Sequence, residues 1–408
     1  MTRVNKPKIR FKNFNDSWSL RKLSDTQTDF KDGNYGEAYP KETDLTSSTQ
    51  GVPFLRGSDL DNGKLTLTNA RYITQSKHNE LISGHLIEDD IVIAVRGSLG
   101  SLGYVGPDNE GWNINSQLAI IRTRKIELIG NYLIQFLLSN RGNKEISSHI
   151  TGTALKQLPI KQLKNIKVPI PKIEEQSAIG SLFRTLDDLL ASYKDNLANY
   201  QSLKATMLSK MFPKAGQSVP EIRLDGYEGE WGNAIIKDHV TLLNGRAFKQ
   251  DELLDEGKYR VVRVGNFNTN DKWYYSNLEL EENKYAYKGD LLYLWATNFG
   301  PEIWDEEKII FHYHIWKFEF DRSIIDRDYL YYLLERDKER IKQNTNGSTM
   351  VHVTKSMMEN REFLFPMFRE QQAIGTYFSN LDNLINSHQE KISQLETLKK
   401  KLLKDMFI

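Results

Sequence analysis

The sequence predicts a mixed α+β fold, in which two duplicated globular domains are separated by an antiparallel two-helix coiled coil. An amphipathic segment occurs twice, as EEQSAIGSLFRTLDDLL at 174–190 and as EQQAIGTYFSNLDNLI at 370–385. Short apolar runs typical of strands precede each copy. Pro and Gly in FPKAGQSVPE (212–221) interrupt the chain between the copies. Together these observations indicate two copies of one unit, each a globular part followed by a long helix.

The bulk composition fits this organisation. The 408 residues exceed what one hydrophobic core normally supports, so two or three domains are expected. Hydrophobic residues make up 39% and charged residues 27%, as in soluble folded proteins. The absence of cysteine excludes disulfides, thiol nucleophiles and Cys-based zinc sites. We find no secretory-type leader and no apolar run of about 18 residues, so a cytoplasmic protein without a membrane segment is expected.

The duplication extends beyond the helices. TGTALKQLPIKQLKNIKVPIPKI (151–173) matches NGSTMVHVTKSMMENREFLFPMF (346–368), and PKIRFKNFNDSW (7–18) matches PEIRLDGYEGEW (220–231). Such self-similarity indicates a repeated structural unit. The predicted segments are a first globular domain at 1–172, a first long helix at 173–212, a linker at 213–219, a second globular domain at 220–367 and a second long helix at 368–408.

Four apolar runs predict strands within the globular domains. They are DDIVIAV (89–95), NINSQLAIIRT (113–123), GDLLYLWA (289–296) and HYHIWKFEF (312–320). Their β-branched and aromatic content favours strands over helices.

The two long helices carry a heptad repeat of apolar residues. Ile179 and Leu186 occupy one heptad position, which Ile374 and Leu381 occupy in the second copy. A sustained repeat of this kind predicts a coiled coil. The predicted core of the helix pair is Ile179, Leu182, Leu186, Leu189, Leu203, Ile374, Leu381, Leu384, Leu395 and Leu398. An antiparallel pair within one chain is the simplest solution; the alternative is two separate helices, each packed on its own globular domain.

No motif for catalysis is found. The sequence has neither a P-loop nor the motifs of serine hydrolases, zinc proteases or protein kinases. GSLGSLG (97–103) is interpreted as a tight turn rather than a phosphate cradle. HYH (312–314) has no carboxylates at ligand spacing nearby, so we predict no metal site and no catalytic residue.

Positive charge is concentrated in one stretch, although the net charge is only +1. From Arg141 to Lys172 the lysine and arginine residues face a single acid, Glu145. This stretch contains TGT (151–153), whose counterpart is NGS (346–348). Exposed backbone amides at such a turn, beside lysine, suit contacts with phosphate groups. The alternative is a solvated charged surface.

Arg and Asn recur in loops at equivalent places of the two copies. LRGSDL (55–60) faces VRVGNF (262–267), and VRGSLG (95–100) faces ATNFG (296–300). Arg reads guanine and Asn reads adenine through paired hydrogen bonds, whereas ordinary turn chemistry explains the same residues without DNA. The candidate DNA-binding residues are Arg56, Ser58, Arg96, Ser98, Asn115, Gln117, Thr151, Gly152, Thr153, Lys156, Arg246, Lys249, Arg263, Asn266, Asn268, Thr297, Asn298, Asn346, Gly347, Ser348 and His352.

The duplicated pattern resembles the specificity subunit of type I restriction–modification systems. The resemblance is carried by a Gly-containing turn, a Leu/Ile-rich stretch ending in Pro, and Glu-Gln opening a long helix, all repeated in the second copy. It covers essentially the whole chain. The second copy departs from the first at Phe368-Arg369, where the first has Ile173-Glu174.

This resemblance implies that each globular domain is a target recognition domain for one half of a split site in double-stranded DNA. The helix pair would set the spacer between the halves. Two methyltransferase subunits would dock with S-adenosylmethionine and methylate adenine, and motor–nuclease subunits would use ATP and magnesium. This subunit would bind no cofactor and perform no catalysis. The alternative from another class is a coiled-coil scaffold or adaptor that does not bind DNA.

Overall fold

The structure, a computed structural model, describes residues 6–268, 270–296, 299–344 and 353–408. It divides into two compact units. Unit 1 combines the chain up to Lys194 with Glu390–Ile408, and unit 2 is Asp195–Gln389. Each unit therefore contains a globular part and a portion of both long helices.

The globular part of unit 1 contains short strands and short helices. The strands are β1 (Ser19–Lys22), β2 (Asp29–Asp32), β3 (Leu45–Thr46), β4 (Val52–Leu55), β5 (Leu60–Asp61), β6 (Lys64–Leu65), β7 (Arg71–Ile73), β8 (Ile91–Ala94), β9 (Leu102–Tyr104), β10 (Asn113–Ile114), β11 (Leu118–Arg122) and β12 (Lys167–Ile170). The helices are α1 (Gln75–Glu80), α2 (Gly130–Leu138), α3 (Asn140–Ser148), α4 (Ile160–Leu163) and the start of the first long helix, α5 (Ile173–Lys210).

Two four-stranded sheets form the body of unit 1, in the orders β2-β11-β8-β9 and β10-β4-β7-β3. The first is antiparallel throughout, whereas β10 and β4 run parallel in the second. Along β8, Ile91 and Ile93 belong to the core formed with α2 and α5, while Val92 and Ala94 belong to a second core. This alternation follows from the two-residue period of a strand and explains why the whole run is apolar.

Unit 2 has a corresponding set of elements. Its strands are β13 (Gly232–Ile235), β14 (Val240–Asn244), β15 (Tyr259–Val262), β16 (Tyr274–Ser276), β17 (Tyr285–Ala286), β18 (Leu291–Leu294), β19 (Gly300–Ile303), β20 (Ile309–Phe311), β21 (Ile315–Phe320) and β22 (Glu362–Phe365). Its helices are α6 (Ile236–His239), α7 (Arg327–Asn344), α8 (Lys355–Glu359) and the start of the second long helix, α9 (Phe368–Asp405).

The sheet topology of unit 2 repeats that of unit 1. The first sheet has the corresponding order, β14-β21-β18-β19, and in the second, β16-β15-β20-β17, β20 runs parallel to β15 as β10 does to β4. Only the fourth strand of the second sheet differs, since β3 pairs with β7 in unit 1 whereas β17 pairs with β20 in unit 2. The predicted α+β fold and its duplication are confirmed. Two predicted strands differ in detail, because 115–117 and 312–314 are turns that connect β10 to β11 and β20 to β21.

The long helices pack in antiparallel orientation within each unit, as predicted. In unit 1, Phe183 stacks on Phe407 at 6.1 Å between ring centroids, and Lys194 pairs with Glu396 at 2.7 Å between Nζ and Oε1. Residue numbers therefore increase along α5 in the direction in which they decrease along α9, as in an antiparallel pair. In unit 2, Phe212 stacks on Phe378 at 6.1 Å, and the Tyr200 and His388 rings lie 5.2 Å apart. The C-terminal end of each helix thus packs with the globular part that precedes the other helix.

The residues that form the helix interface differ in part from those predicted. Ile179, Leu186, Ile374 and Leu381 are buried, and Leu182 and Leu395 are half-buried against the cores. The other four predicted core leucines are exposed by 37–43%; they are Leu189, Leu203, Leu384 and Leu398. The buried stripe instead continues through Phe183, Leu190, Phe378 and Ile385.

The correction follows from helix geometry. At about 100° per residue, Phe183 and Leu190 lie within roughly 40° of Ile179, whereas Leu189 lies roughly 80° away on the other side. From Ile179, the buried stripe therefore advances by four residues to Phe183 and then by three residues to Leu186. The predicted heptad positions have the step of three first.

A buried carboxylate anchors the start of each long helix. Glu175 accepts hydrogen bonds from Arg10 at 2.6 and 2.7 Å and from the Trp18 indole at 3.1 Å. At the repeat-equivalent site, Glu370 accepts two bonds of 2.8 Å from Arg223. Both carboxylates are 1% exposed. The Glu-Gln pairs of the sequence pattern thus join each helix to its globular part.

Candidate nucleic-acid interface

Most of the candidate residues of the first copy lie at one edge of unit 1, where four segments meet. The Asn115 backbone N–H donates to the carbonyl of Leu55 at 2.9 Å, which places the turn 115–117 beside the loop after β4. The Val95 N–H donates to the Gln117 carbonyl at 2.9 Å, so the loop after β8 joins them. The Leu158 N–H donates to the Val95 carbonyl at 3.0 Å, which brings the end of the 151–157 loop alongside.

The 151–157 loop is a tight turn, as its sequence predicts. Thr151 and Gln157 exchange two backbone hydrogen bonds of 2.9 Å. Gly152 has φ +91°, and a Cβ there would lie 2.4 Å from the Leu155 carbonyl oxygen, so only glycine fits. Thr153 and Lys156 are exposed on this turn. Their hydroxyl and ammonium groups can therefore reach a phosphate.

The exposed side chains at this edge define a surface that we call edge 1. It consists of Ser58, Arg96, Ser98, Gln117, Thr153 and Lys156. Arg96 lies over the Tyr35 ring at 5.5 Å and donates to the Ser116 carbonyl at 3.3 Å. Two candidates have structural partners instead.

Arg56 and Asn115 stabilise the loops of edge 1. The Arg56 Nε lies 3.7 Å from the Asp59 carboxylate, and its Nη2 donates to the Asn69 carbonyl. Asn115 is 3% exposed and accepts a hydrogen bond from the Gln117 N–H at 3.0 Å. It therefore shapes the turn that presents Gln117.

Unit 2 builds an equivalent edge on the same backbone. The His312 N–H donates to the Val262 carbonyl at 2.9 Å, as Asn115 does to Leu55, and the Trp295 N–H donates to the His314 carbonyl at 3.2 Å, as Val95 does to Gln117. Arg263 follows Val262 and therefore corresponds to Arg56. We call this surface edge 2; it is formed by Arg246, Arg263, Trp295 and the turn His312–Tyr313–His314.

The arginines of edge 2 are held by neighbouring groups. Arg246 pairs with Glu252, with Nη2 and Oε1 at 2.6 Å, and stacks over Phe248 at 4.8 Å. Arg263 lies over the Tyr274 ring at 4.3 Å. Both guanidinium planes are therefore pre-oriented by aromatic rings.

The remaining candidates of the second copy are divided among several places. Asn266 accepts from the Arg263 N–H at 3.0 Å, and Asn268 donates to the Val264 carbonyl at 3.1 Å, so both stabilise the loop after β15. Lys249 is exposed. Six predicted residues lie outside the described part of the chain: Thr297, Asn298, Asn346, Gly347, Ser348 and His352.

The turn 312–314 was predicted as part of a strand and not as part of the candidate interface. Burial, with smaller effects of His314 and Arg263, lowers the pKa of His312 to about 4, so this imidazole is neutral near pH 7. Within the described ranges no group of three or more His, Asp or Glu residues could hold a metal ion. The signal that could have identified the turn is its register, since His312-Tyr313-His314 follows the parallel strand β20 as Asn115-Ser116-Gln117 follows β10.

Comparison with known proteins points to one family. The sequence model described as "Type I restriction modification DNA specificity domain" matches residues 18–199 and 228–397. The putative type I restriction enzyme MjaX specificity subunit of Methanocaldococcus jannaschii is 23% identical over 95% of this chain and 92% of its own length. The MjaVIII specificity subunit of the same organism is 24% identical, over 63% of this chain and 65% of its own length.

A solved structure shows the same fold. The crystal structure of the type I restriction–modification S subunit from M. genitalium superposes with a TM-score of 0.64, at 16% identity, over 99% of both chains. In the described ranges of the present chain, no helix is long and apolar enough to cross a membrane.

Proposed function

Because this chain belongs to the family of type I restriction–modification DNA specificity subunits, we propose that each of its units reads one half of a bipartite DNA sequence. One observation carries the proposal: the two edges share the backbone hydrogen bonds that hold the turns 115–117 and 312–314, but the side chains on these turns differ. A common scaffold with different side chains is what two readers of different half-sites require.

At edge 1, different segments are suited to contact phosphates and to contact bases. Thr153, Lys156 and the backbone around Gly152 suit phosphate oxygens, which fix register without reading sequence. Arg96 and Gln117 are long enough to reach base edges in the major groove, where arginine matches guanine and glutamine matches adenine. The candidate residues Ser58 and Ser98 add exposed hydroxyl groups at this edge.

The proposal assigns no catalysis to this chain. Two methyltransferase subunits would dock on it and bring S-adenosylmethionine for adenine methylation. Motor–nuclease subunits would add ATP- and magnesium-dependent cleavage. The family and the names of the M. jannaschii relatives support these partners. The long helices, each of which contributes residues to both units, would set the number of unread base pairs between the half-sites.

A domain exchange tests the two-reader proposal. The chain is co-expressed with its methyltransferase subunits in a host without other adenine methylation, and methylated adenines are mapped by sequencing. Replacing residues 26–150 with the corresponding segment of another family member should change one half of the methylated sequence and leave the other intact.

The unaltered chain is the control, and it should yield a single bipartite sequence. A change in both halves, or in neither, would contradict the assignment of one half-site to each unit. DNA affinity of the complex that does not fall with rising salt would favour a scaffold without DNA contact.

A further inference from the structure

Unit 2 contains a stack of aromatic rings that runs from its core to edge 2. Phe318 stacks on Tyr293 at 5.8 Å, Tyr293 on Trp316 at 6.0 Å, and Trp316 on Trp295 at 5.9 Å. The planes of successive rings are within 20° of parallel. The first three rings are buried, whereas Trp295 is half-buried at the edge itself.

The stack fixes the turn after β20. The Trp295 indole N–H donates to the Tyr313 carbonyl at 2.9 Å, and its ring meets His314 edge-on at 4.8 Å. The Tyr313 ring lies 3.9 Å from His314 and 4.4 Å from His312. Tyr313 is 40% exposed. An aromatic surface is thus presented to solvent on a rigid support.

Unit 1 has the same backbone without these rings. Strand pairing aligns Ile93 with Tyr293 and Ala119 with Trp316, because Ala119 pairs with Ile93 as Trp316 pairs with Tyr293. Val95 stands where Trp295 does. The turn of unit 1 is Asn115-Ser116-Gln117, so Ser116 replaces Tyr313. Edge 2, which also contains Arg246 and Arg263, therefore offers aromatic faces at the turn where edge 1 offers amide and hydroxyl groups.

These two surfaces suit different features of the major groove. Amide and guanidinium groups pair with the hydrogen-bonding edges of adenine and guanine, whereas apolar groups contact the 5-methyl group of thymine. We propose that edge 2 reads thymine through its methyl group, with Tyr313 and Trp295 as the contacting residues, and that edge 1 reads its half-site mainly by hydrogen bonds. This inference rests on the proposed function of the two units.

Replacing thymine by uracil tests the proposal, because it removes the methyl group and leaves base pairing intact. The probe is a duplex carrying the methylated sequence found for this chain, with uracil at every thymine of one half-site. Binding is measured with the complex of the full chain and its methyltransferase subunits. Substitution in the half-site of unit 2 should weaken binding about three- to five-fold per contacted methyl group, and substitution in the half-site of unit 1 should leave affinity unchanged.

Two variants connect the effect to the ring. Tyr313→Ser introduces the residue of unit 1 and should reduce the preference for thymine over uracil duplexes, leaving only what Trp295 contributes. Tyr287→Ser is the matched control; Tyr287 is 38% exposed and precedes β18, at the opposite end of that strand from Trp295, so it should keep the preference for thymine.

The outcomes separate the two proposals. A second half-site made only of G·C pairs, equal affinity for uracil and thymine in that half, or an unchanged thymine preference in Tyr313→Ser would overturn the reading of the methyl group while leaving the two-reader function intact. Absence of sequence-specific binding by the complex would instead overturn the proposed function itself. Stacking of an unpaired base on Tyr313 would appear as affinity that is insensitive to the methyl group.

Discussion

Glu175 and Glu370 show how a single buried charge can fix the start of a helix. A carboxylate loses its hydration when it is buried, and only an oriented cation with further donors compensates for that loss. Arg10 supplies a two-bond contact to Glu175, and Arg223 does the same for Glu370. The donor comes from the N-terminal stretch of each copy, which is why PKIRF and PEIRL are part of the repeated pattern.

Removing the charge of Glu175 should therefore destabilise unit 1 strongly. Glu175→Gln removes the carboxylate partner of Arg10, whose side chain is 11% exposed, and we expect a loss of about 3 kcal/mol in the free energy of unfolding, the low end for breaking a buried pair. Chemical denaturation of the full chain, followed by tryptophan fluorescence, measures it.

Asp16→Asn is the control for this substitution. The Asp16–Lys172 pair lies on the surface, with side chains 63% and 67% exposed, and exposed pairs contribute little. The midpoint of denaturation should stay in place for this variant. Equal shifts for Glu175→Gln and Asp16→Asn would show that the buried pair has no special role.

At the scale of elements, the long helices are defined by the stripe that they bury. In unit 1 this stripe runs through Ile179, Phe183, Leu186 and Leu190. Leu189, one residue before the last of these, is 42% exposed. Two adjacent leucines of the same helix therefore have opposite environments.

Leu189 and Leu190 allow the same substitution, leucine to alanine, to be compared at an exposed and at a buried position. Leu190→Ala should lower the free energy of unfolding by about 2–5 kcal/mol, because Leu190 is 8% exposed and its truncation leaves a cavity between the helices. Leu189→Ala should change stability by no more than about 0.5 kcal/mol. Thermal unfolding of the two variants beside the parent chain measures the difference. Similar losses for both would mean that Leu189 lies in the seam as originally predicted.

The elements also show what the sequence could predict. The strands at 91–94 and 291–294 and both long helices could be predicted, because apolar runs and heptads are local signals. The orientation of Leu189 could not, since Leu189 and Leu190 are both apolar, and a heptad in which the step of three comes first fits the sequence as well as one in which the step of four comes first. The turn at 312–314 was hidden because His-Tyr-His continues the β-prone composition of β21. The pairing of Arg246 with Glu252 depends on a loop conformation that no residue pattern specifies.

At the scale of the whole molecule, the duplication is combined with an exchange of helix ends. The core of unit 1 contains Leu402, Met406 and Phe407 from the end of α9, and the core of unit 2 contains Leu208, Met211 and Phe212 from the end of α5. Neither globular part is completed by its own helix alone. The two copies therefore depend on each other for folding as well as for the proposed reading of DNA.

Lengthening both helices tests their proposed role as a spacer. Seven residues are inserted after Lys194 and seven more after Gln389, where the two units divide, so that the seam keeps its register. The insertion adds about 10 Å of helix, or up to about three base pairs of DNA. Both methylated half-sites should keep their sequences while the gap between them grows.

An insertion in one helix only is the control for spacing. A single insertion displaces one long helix by seven residues against the other, and it should abolish methylation. If the chain with both insertions methylated the original sequence at the original spacing, the helices would have no part in setting the gap.

The exchanged helix ends have a consequence for biosynthesis. Unit 2 is one continuous stretch, Asp195–Gln389, whereas unit 1 also requires Glu390–Ile408. Ribosomes add about 5–20 residues per second and normally let the N-terminal domain fold first. Here unit 1, whose translation begins first, still lacks Phe407 when the last residue of unit 2, Gln389, has been made. All residues of unit 2 are therefore present before those of unit 1, and until Phe407 is made the rings of Phe183 and Tyr132 lack this aromatic partner.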